Sequence, residues 1–225
     1  MAAAMVFVLS LPACAPAVPE TADAPAPRAT PERAAELEAL YRARVERDRQ
    51  RFTPADVRFM SDMIAHHAQA LVMAGLAPER AESPGVRTLA ARIQNAQEDE
   101  IALMQRWLRD RGQAAPEVHI SGNRVHIHGG SGHHHHSGMP GMLTDAQLDE
   151  LAEARGGEFD RLFLTYMIEH HRGAVVMVRE LLGADGAAQD PELFRFASDV
   201  HVDQATEIAR MESMLTAMAG SQPGR

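Results

Sequence analysis

The chain has 225 residues and a mass of 24.5 kDa, with 45% hydrophobic and 24% charged residues, enough to bury one sizeable core or two halves sharing one. Only 4% of residues are aromatic while Met numbers 13, a composition that suits packed helices better than sheets. A formal net charge of -9 without a sustained basic cluster argues against nucleic acid as a partner and favours cationic ligands, and a single Cys excludes an internal disulfide framework and any Cys-based zinc site.

Residues 1–13, MAAAMVFVLSLPA, form an apolar run of signal-peptide length, too short to span a bilayer as a mature helix. The run ends at Leu11-Pro12-Ala13-Cys14, which resembles a bacterial lipobox, so lipidation of Cys14 and a membrane anchor are expected. The rival is a free Cys after an ordinary signal. Residues 14–29 are rich in Ala and Pro and cannot build a core, as befits a disordered tether.

Helical signals follow. Thr30-Pro31 puts an N-cap before a proline at the first helical position, and Leu37, Leu40, Tyr41 and Val45 recur at helical spacing through about Arg51. Thr53-Pro54 predicts a helix over about 54–76, with Asp56 placed where a carboxylate favours the helix N-terminus. Ser83-Pro84 opens a long helix to Arg111, stopped by Gly112. Thr144 with Gln147 makes a capping box for a short helix that Gly156-Gly157 is expected to end. Helices over about 158–182 and 191–218 complete the set. Four long helices in two antiparallel hairpins predict an all-α up-and-down bundle within residues 30–218.

The two halves repeat each other. Phe59 to Ala74 reads FMSDMIAHHAQALVMA and Phe163 to Val178 reads FLTYMIEHHRGAVVMV, offset by 104 residues. Gln97, Glu100, Ile101 and Met104 answer to Gln204, Glu207, Ile208 and Met211, offset by 107. Matching helix pairs indicate an internal duplication, with repeat 1 over about 54–111 and repeat 2 over about 158–218. At about 100° per residue, Met63, His66 and His67 share a helix face, as do Met167, His170 and His171. Each partner helix presents one Glu and one Met toward the same interior: Glu100 with Met104, and Glu207 with Met211. Adjacent His residues diverge around the helix, so one of each pair is expected to point fully inward. Met at helical spacing also serves as core filler, and the glutamates could simply hold the imidazoles. The coincidence of Met and His in both copies favours a metal.

Between the halves, residues 113–143 hold His119, His126, His128, and the run His133, His134, His135 and His136. Val118-His119-Ile120 and Val125-His126-Ile127-His128 alternate with period two around Ser121-Gly122-Asn123, which predicts a small hairpin with one Val/Ile face and one His face. The His-rich insertion is expected to capture metal and to be dispensable for folding; a solvated insertion without function is the alternative.

Thioether and imidazole select copper, Cu(I) above all, while imidazole alone also admits zinc in the loop. No Glu-x-x-His of the di-iron type, nucleophile elbow, P-loop or dinucleotide fingerprint is present.

The motif Phe-x-x-x-Met-Ile-x-His-His-x-x-Ala-x-x-Met, twice, with Gln-x-x-Glu-Ile-x-x-Met after each and Met139-Pro140-Gly141-Met142-Leu143-Thr144 before the second copy, resembles the bacterial secreted family catalogued as domain of unknown function 305. That resemblance covers residues 52–218 and implies a ferritin-like four-helix bundle, with periplasmic copper binding in some members. It points to Met63, His66, His67, Met167, His170 and His171 as metal residues. The long His-rich insertion departs from the family pattern. The expectation is an exported copper-binding buffer or chaperone, passing metal to an unidentified partner protein. A metal-dependent oxidoreductase and a metal-free interaction bundle are the rivals.

Overall fold

The computed structural model describes residues 30–129 and 138–220. The expected signal peptide, the tether, Cys14 and the run His133 to His136 lie outside the described residues. Two compact units divide between Tyr41 and Arg42, within helix α1 (Pro31–Arg49). In the first unit, Thr30 Oγ1 accepts the Arg33 N–H at 3.3 Å as an N-cap, and Leu37, Leu40 and Tyr41 are exposed.

The second unit is mostly helical. It contains α2 (Pro54–Gly75), α3 (Ala77–Arg80), α4 (Pro84–Asp110), β1 (Glu117–Ser121), β2 (Arg124–His128), α5 (Asp145–Glu153), α6 (Gly156–Gly183) and α7 (Pro191–Gly220). The expected caps start these helices. Thr53 Oγ1 accepts the Asp56 N–H at 3.2 Å while Asp56 Oδ2 accepts the Thr53 N–H at 2.7 Å, closing a capping box on α2. The other Asp56 oxygen accepts the Ala188 N–H at 2.7 Å, which ties the start of α2 to the α6–α7 connection and accounts for its complete burial. One boundary differs from expectation: Gly156-Gly157 opens α6 rather than closing α5, whose C-cap is Ala154. With φ at +62°, Gly156 turns the chain into a bridge with Ala81, a conformation that costs a β-carbon dearly. Among the described residues no helix is long and apolar enough to cross a membrane.

Helix α2 packs on α4, α6 packs on α7, and α2 and α6 pack on each other. The core forms two clusters that divide both central helices. Along α2 the first cluster takes Val57 to Ala68 and the second begins at Ala70; along α6 the second cluster takes Phe159 to Ile168 and the first resumes at Ala174. His66, His67, His170 and His171 therefore sit at the seam between two apolar masses. At one end of the first cluster, Arg111 pairs with Asp190 with both side chains 2% exposed, and its guanidinium lies 4.1 Å from the Trp107 ring centroid. Asp190 also accepts the Trp107 indole N–H at 3.3 Å and the Leu193 N–H at 2.8 Å, so one carboxylate joins α4 to the first turn of α7.

The hairpin forms as its alternation predicts, with Ser121 opposite Arg124 and a two-residue Gly122-Asn123 turn. Gly122 has φ +60° at the first turn position, where the right-handed strand twist favours glycine. Val118, Val125 and Ile127 pack against the first core cluster, and both strands lie on α2. The Arg124 guanidinium grips both oxygens of Asp149 on α5 at 2.8 Å, and the Asn123 amide donates to Asp149 at 2.9 Å. These contacts correct the expectation that the insertion contributes little to the bundle: its first part covers α2.

Candidate metal centre

All four imidazoles of the His-His pairs are completely buried, which corrects the expectation of one inward ring per pair. Divergence by about 100° around a helix still leaves both residues inside when two neighbours cover different sides of it. His67 faces α4, where its Nε2–H donates to Glu100 Oε2 at 2.6 Å. His171 faces α7, where its Nε2–H donates to Glu207 Oε2 at 2.7 Å. His66 and His170 face each other between α2 and α6, with ring centroids 3.8 Å apart and planes at 37°. The neighbouring rings follow at 6.5 Å from His66 to His67 and 6.2 Å from His170 to His171, so four imidazoles form a row across the seam.

The inner pair is supported differently. His170 Nε2–H donates to the His66 carbonyl at 3.1 Å, while His66 Nε2–H donates to the Pro140 carbonyl at 3.0 Å. The turn carrying Pro140 is held by both central helices. On α2, Gln69 donates to the Leu143 carbonyl at 3.0 Å and accepts the Leu143 N–H at 2.8 Å. On α6, the same position of the repeated motif is Gly173, where an added Cβ would lie 2.0 Å from Pro140 O. Gly141, at φ +76°, is also tightly placed, since its Cβ would lie 2.6 Å from the Glu169 carbonyl oxygen. The Gln-to-Gly change between the two copies is the sequence signal for this turn, and reading the motif only for what it repeats passes over it.

Every Nε2 partner is a carbonyl or a carboxylate, which accepts and cannot donate. The hydrogen is thereby fixed on Nε2, and Nδ1 is the atom a metal would take. The Nδ1 atoms of His66, His67, His170 and His171 are all buried without a hydrogen-bond partner, as are Gln97 Oε1 and Gln204 Oε1 at corresponding places on α4 and α7. Each orphan of this kind costs about 1–3 kcal/mol, and a symmetric set asks for a ligand. Burial holds the His66 imidazole down to about 3, helped by the electrostatic influence of the neighbouring His67 and His171 imidazoles and opposed by the Pro140 hydrogen bond. Burial first, then His66, His171 and His67, puts His170 well below its ordinary value, against the His66 carbonyl bond. Both inner rings are therefore neutral, with lone pairs available.

Met63, Met104, Met167 and Met211 are fully buried, Met63 and Met104 in the first cluster and Met167 and Met211 in the second. Met63 lies one helical turn before His66 and His67 on α2, and Met167 one turn before His170 and His171 on α6. Among the described residues no three of His, Cys, Asp and Glu converge closely enough to hold an ion by themselves. Glu100 and Glu207 each already give an oxygen to an imidazole. His119, His126 and His128 are elsewhere, exposed on the outer face of the hairpin. Met142 lines a cavity of about 140 Å³ beneath the hairpin, beside Ala65, Gln69, Val125 and Ile127.

No curated protein matches the chain. Solved structures do. A DUF305 fragment from Deinococcus radiodurans is 35% identical, with 74% of this chain and 98% of that one covered at a TM-score of 0.60. A DUF305 protein from Streptomyces coelicolor is 28% identical, with 76% and 97% covered, also at 0.60. CopM in the Cu(I)-bound form is 28% identical, with 72% and 96% covered and a TM-score of 0.53, and CopM has also been solved with Cu(II), with Ag and in the apo form. The family model described as domain of unknown function (DUF305) matches residues 56–215, both His-His helices and their partners included, and the chain belongs to that family.

Proposed function

We propose that the protein is an exported copper-binding protein that takes Cu(I) into the seam between α2 and α6, as a buffer or chaperone. The observation that carries this reading is the set of four buried, unpartnered imidazole Nδ1 atoms flanked by buried thioethers. Imidazole nitrogen and thioether sulfur suit a soft monovalent ion, and the relative CopM has been solved with both Cu(I) and Ag. In this reading His66, His67, His170 and His171 bind through Nδ1 and Met63 and Met167 supply sulfur. Glu100 and Glu207 orient the outer imidazoles, as carboxylates do behind metal-bound His. Met104 on α4 and Met211 on α7, both fully buried, are further sulfur donors in this reading.

We read the two helix hairpins as duplicated halves of a ferritin-like four-helix bundle. The support is paired contact: His67 with Glu100 in one half, and His171 with Glu207 in the other. Export and lipidation at Cys14 are part of the proposal, consistent with the description of the Streptomyces relative as a candidate secreted protein.

The test is a Cu(I) competition titration of the full chain and of Met63→Leu/Met167→Leu. Leu keeps volume and apolarity but removes sulfur. Weaker Cu(I) binding in a variant that stays folded supports the proposal; unchanged affinity there and in His66→Gln/His170→Gln refutes it.

A further inference from the structure

We infer that the exposed face of the β1–β2 hairpin is a second metal site, for a divalent ion of zinc or Cu(II) type, formed by His119, His126 and His128 with Glu117 beside them. Three observations carry this. Register places His119 directly opposite His126, and Glu117 directly opposite His128. Opposed residues lie on one side of a sheet with Cβ atoms about 4.5–5.5 Å apart, and alternate residues of a strand share a face. His126-Ile127-His128 therefore presents two imidazoles from one strand, and His119 faces them from the other. The His119 and His128 rings are already neighbours, with centroids 5.2 Å apart.

The second observation is that the backbone beneath these rings is held. Val118, Val125 and Ile127 anchor the opposite face to the core, and Arg124 Nη2, donating to both Asp149 oxygens, fixes the turn. Arg124 falls on the His side by register, but its guanidinium is engaged by Asp149 and lies 3.4 Å from Asp145. Its positive charge is thereby compensated. As they stand, these donors do not surround one point. Their side chains are exposed and free to rotate, whereas same-face placement, which rotation cannot supply, is built into the register.

The third is the chemistry of the donor set. Three imidazoles and a carboxylate, with no sulfur on that face, suit a borderline divalent ion with water completing the shell, and do not suit Cu(I). The hairpin site is thus complementary to the proposed buried one: nitrogen and oxygen outside for a divalent ion, nitrogen and sulfur inside for a monovalent one. It rests on the hairpin alone and stands whether or not the buried seam binds copper.

The experiment uses the full chain carrying His133→Asn, His134→Asn, His135→Asn and His136→Asn, so that the neighbouring His run contributes nothing. Zinc alone is titrated against a chromophoric chelator, and amide exchange is followed with and without zinc. The expected result is one zinc equivalent, lost in His119→Gln/His126→Gln/His128→Gln. His126→Gln alone should weaken binding by more than the roughly tenfold that loss of even a supporting partner costs. Because a bridged ion ties β1 to β2, zinc should also slow exchange of the amides of residues 117–128 in the background chain and not in the triple variant. Retention of the zinc equivalent in the folded triple variant, or absence of any zinc binding in the background chain, overturns the inference. Cu(I) affinity of the triple variant reports on the buried seam independently, so the two readings fail separately.

Discussion

At the scale of single residues, the seam places neutral imidazoles where most proteins place aliphatic side chains. His66 is held to about 3 and His170 well below its ordinary value, both by burial first, whereas an imidazole in the unfolded chain protonates near pH 6.5. Below that pH the unfolded metal-free protein binds more protons than the folded one. Stability should therefore be complete above about pH 6.5 and fall as pH drops toward 3, by up to about 1.4 kcal/mol per pH unit for each imidazole. The groups facing the inner rings are His67 and His171, themselves bonded to Glu100 and Glu207, so no carboxylate directly stabilises an inner imidazolium. Urea unfolding of metal-free protein between pH 7 and 4 measures this, and His66→Gln/His170→Gln should flatten the profile. A profile unchanged by the double substitution would remove these rings from the balance. For Met63→Leu/Met167→Leu the expected stability loss is under about 1.5 kcal/mol per site, which separates ligand from filler by affinity rather than by folding.

At the scale of elements, the turn over residues 139–143 is the piece that the two halves do not share. It is clamped by Gln69 on α2 and admitted by Gly173 on α6, and it gives the carbonyl that accepts from His66. Gly173→Ala would push a methyl group into the Pro140 carbonyl. Because both groups sit on backbone, the turn has to move. The expected cost is about 1–3 kcal/mol by denaturant unfolding, with loss of the His66–Pro140 hydrogen bond. Imidazole NMR of His66 is the direct readout, and an unshifted His66 resonance with unchanged stability would mean that the turn has room to spare. The hairpin makes the same point in another form: its His face is outside because its Val and Ile face is needed against α2.

For the whole molecule, several buried polar contacts join the halves, and Arg111–Asp190 is an ion pair among them, with both side chains 2% exposed. Asp190 serves an ion pair, an indole N–H and the cap of α7 together. Asp190→Ala leaves the Arg111 charge in an apolar end of the core, and the expected destabilisation is about 3–5 kcal/mol. A thermal or urea transition shifted by much less would show that the guanidinium finds water or Glu192, whose carboxylate already lies 3.5 Å away. At this scale too, Cys14→Ala should release the protein from the membrane fraction if Cys14 carries the anchor, and a variant that stays membrane-bound counts against lipidation there.

The long helices, the Thr53, Ser83 and Thr144 caps, the hairpin and the two faces of that hairpin were legible in the sequence because each depends on neighbours within about one turn or one strand. Capping pairs sit three residues apart, a helix face repeats every three or four, and a strand alternates by two. Local composition likewise marked the His and Met residues assigned to the proposed centre. The tertiary structure alone decided that all four imidazoles are buried, that each outer ring meets a glutamate while the inner two face each other at a tilt, and that every Nε2 is spent on an acceptor. It also decided that the 139–143 turn lies over the inner pair. Those facts depend on partners 33 to 104 residues away, and no short-range periodicity carries information about which carbonyl or carboxylate packing will bring to a ring nitrogen.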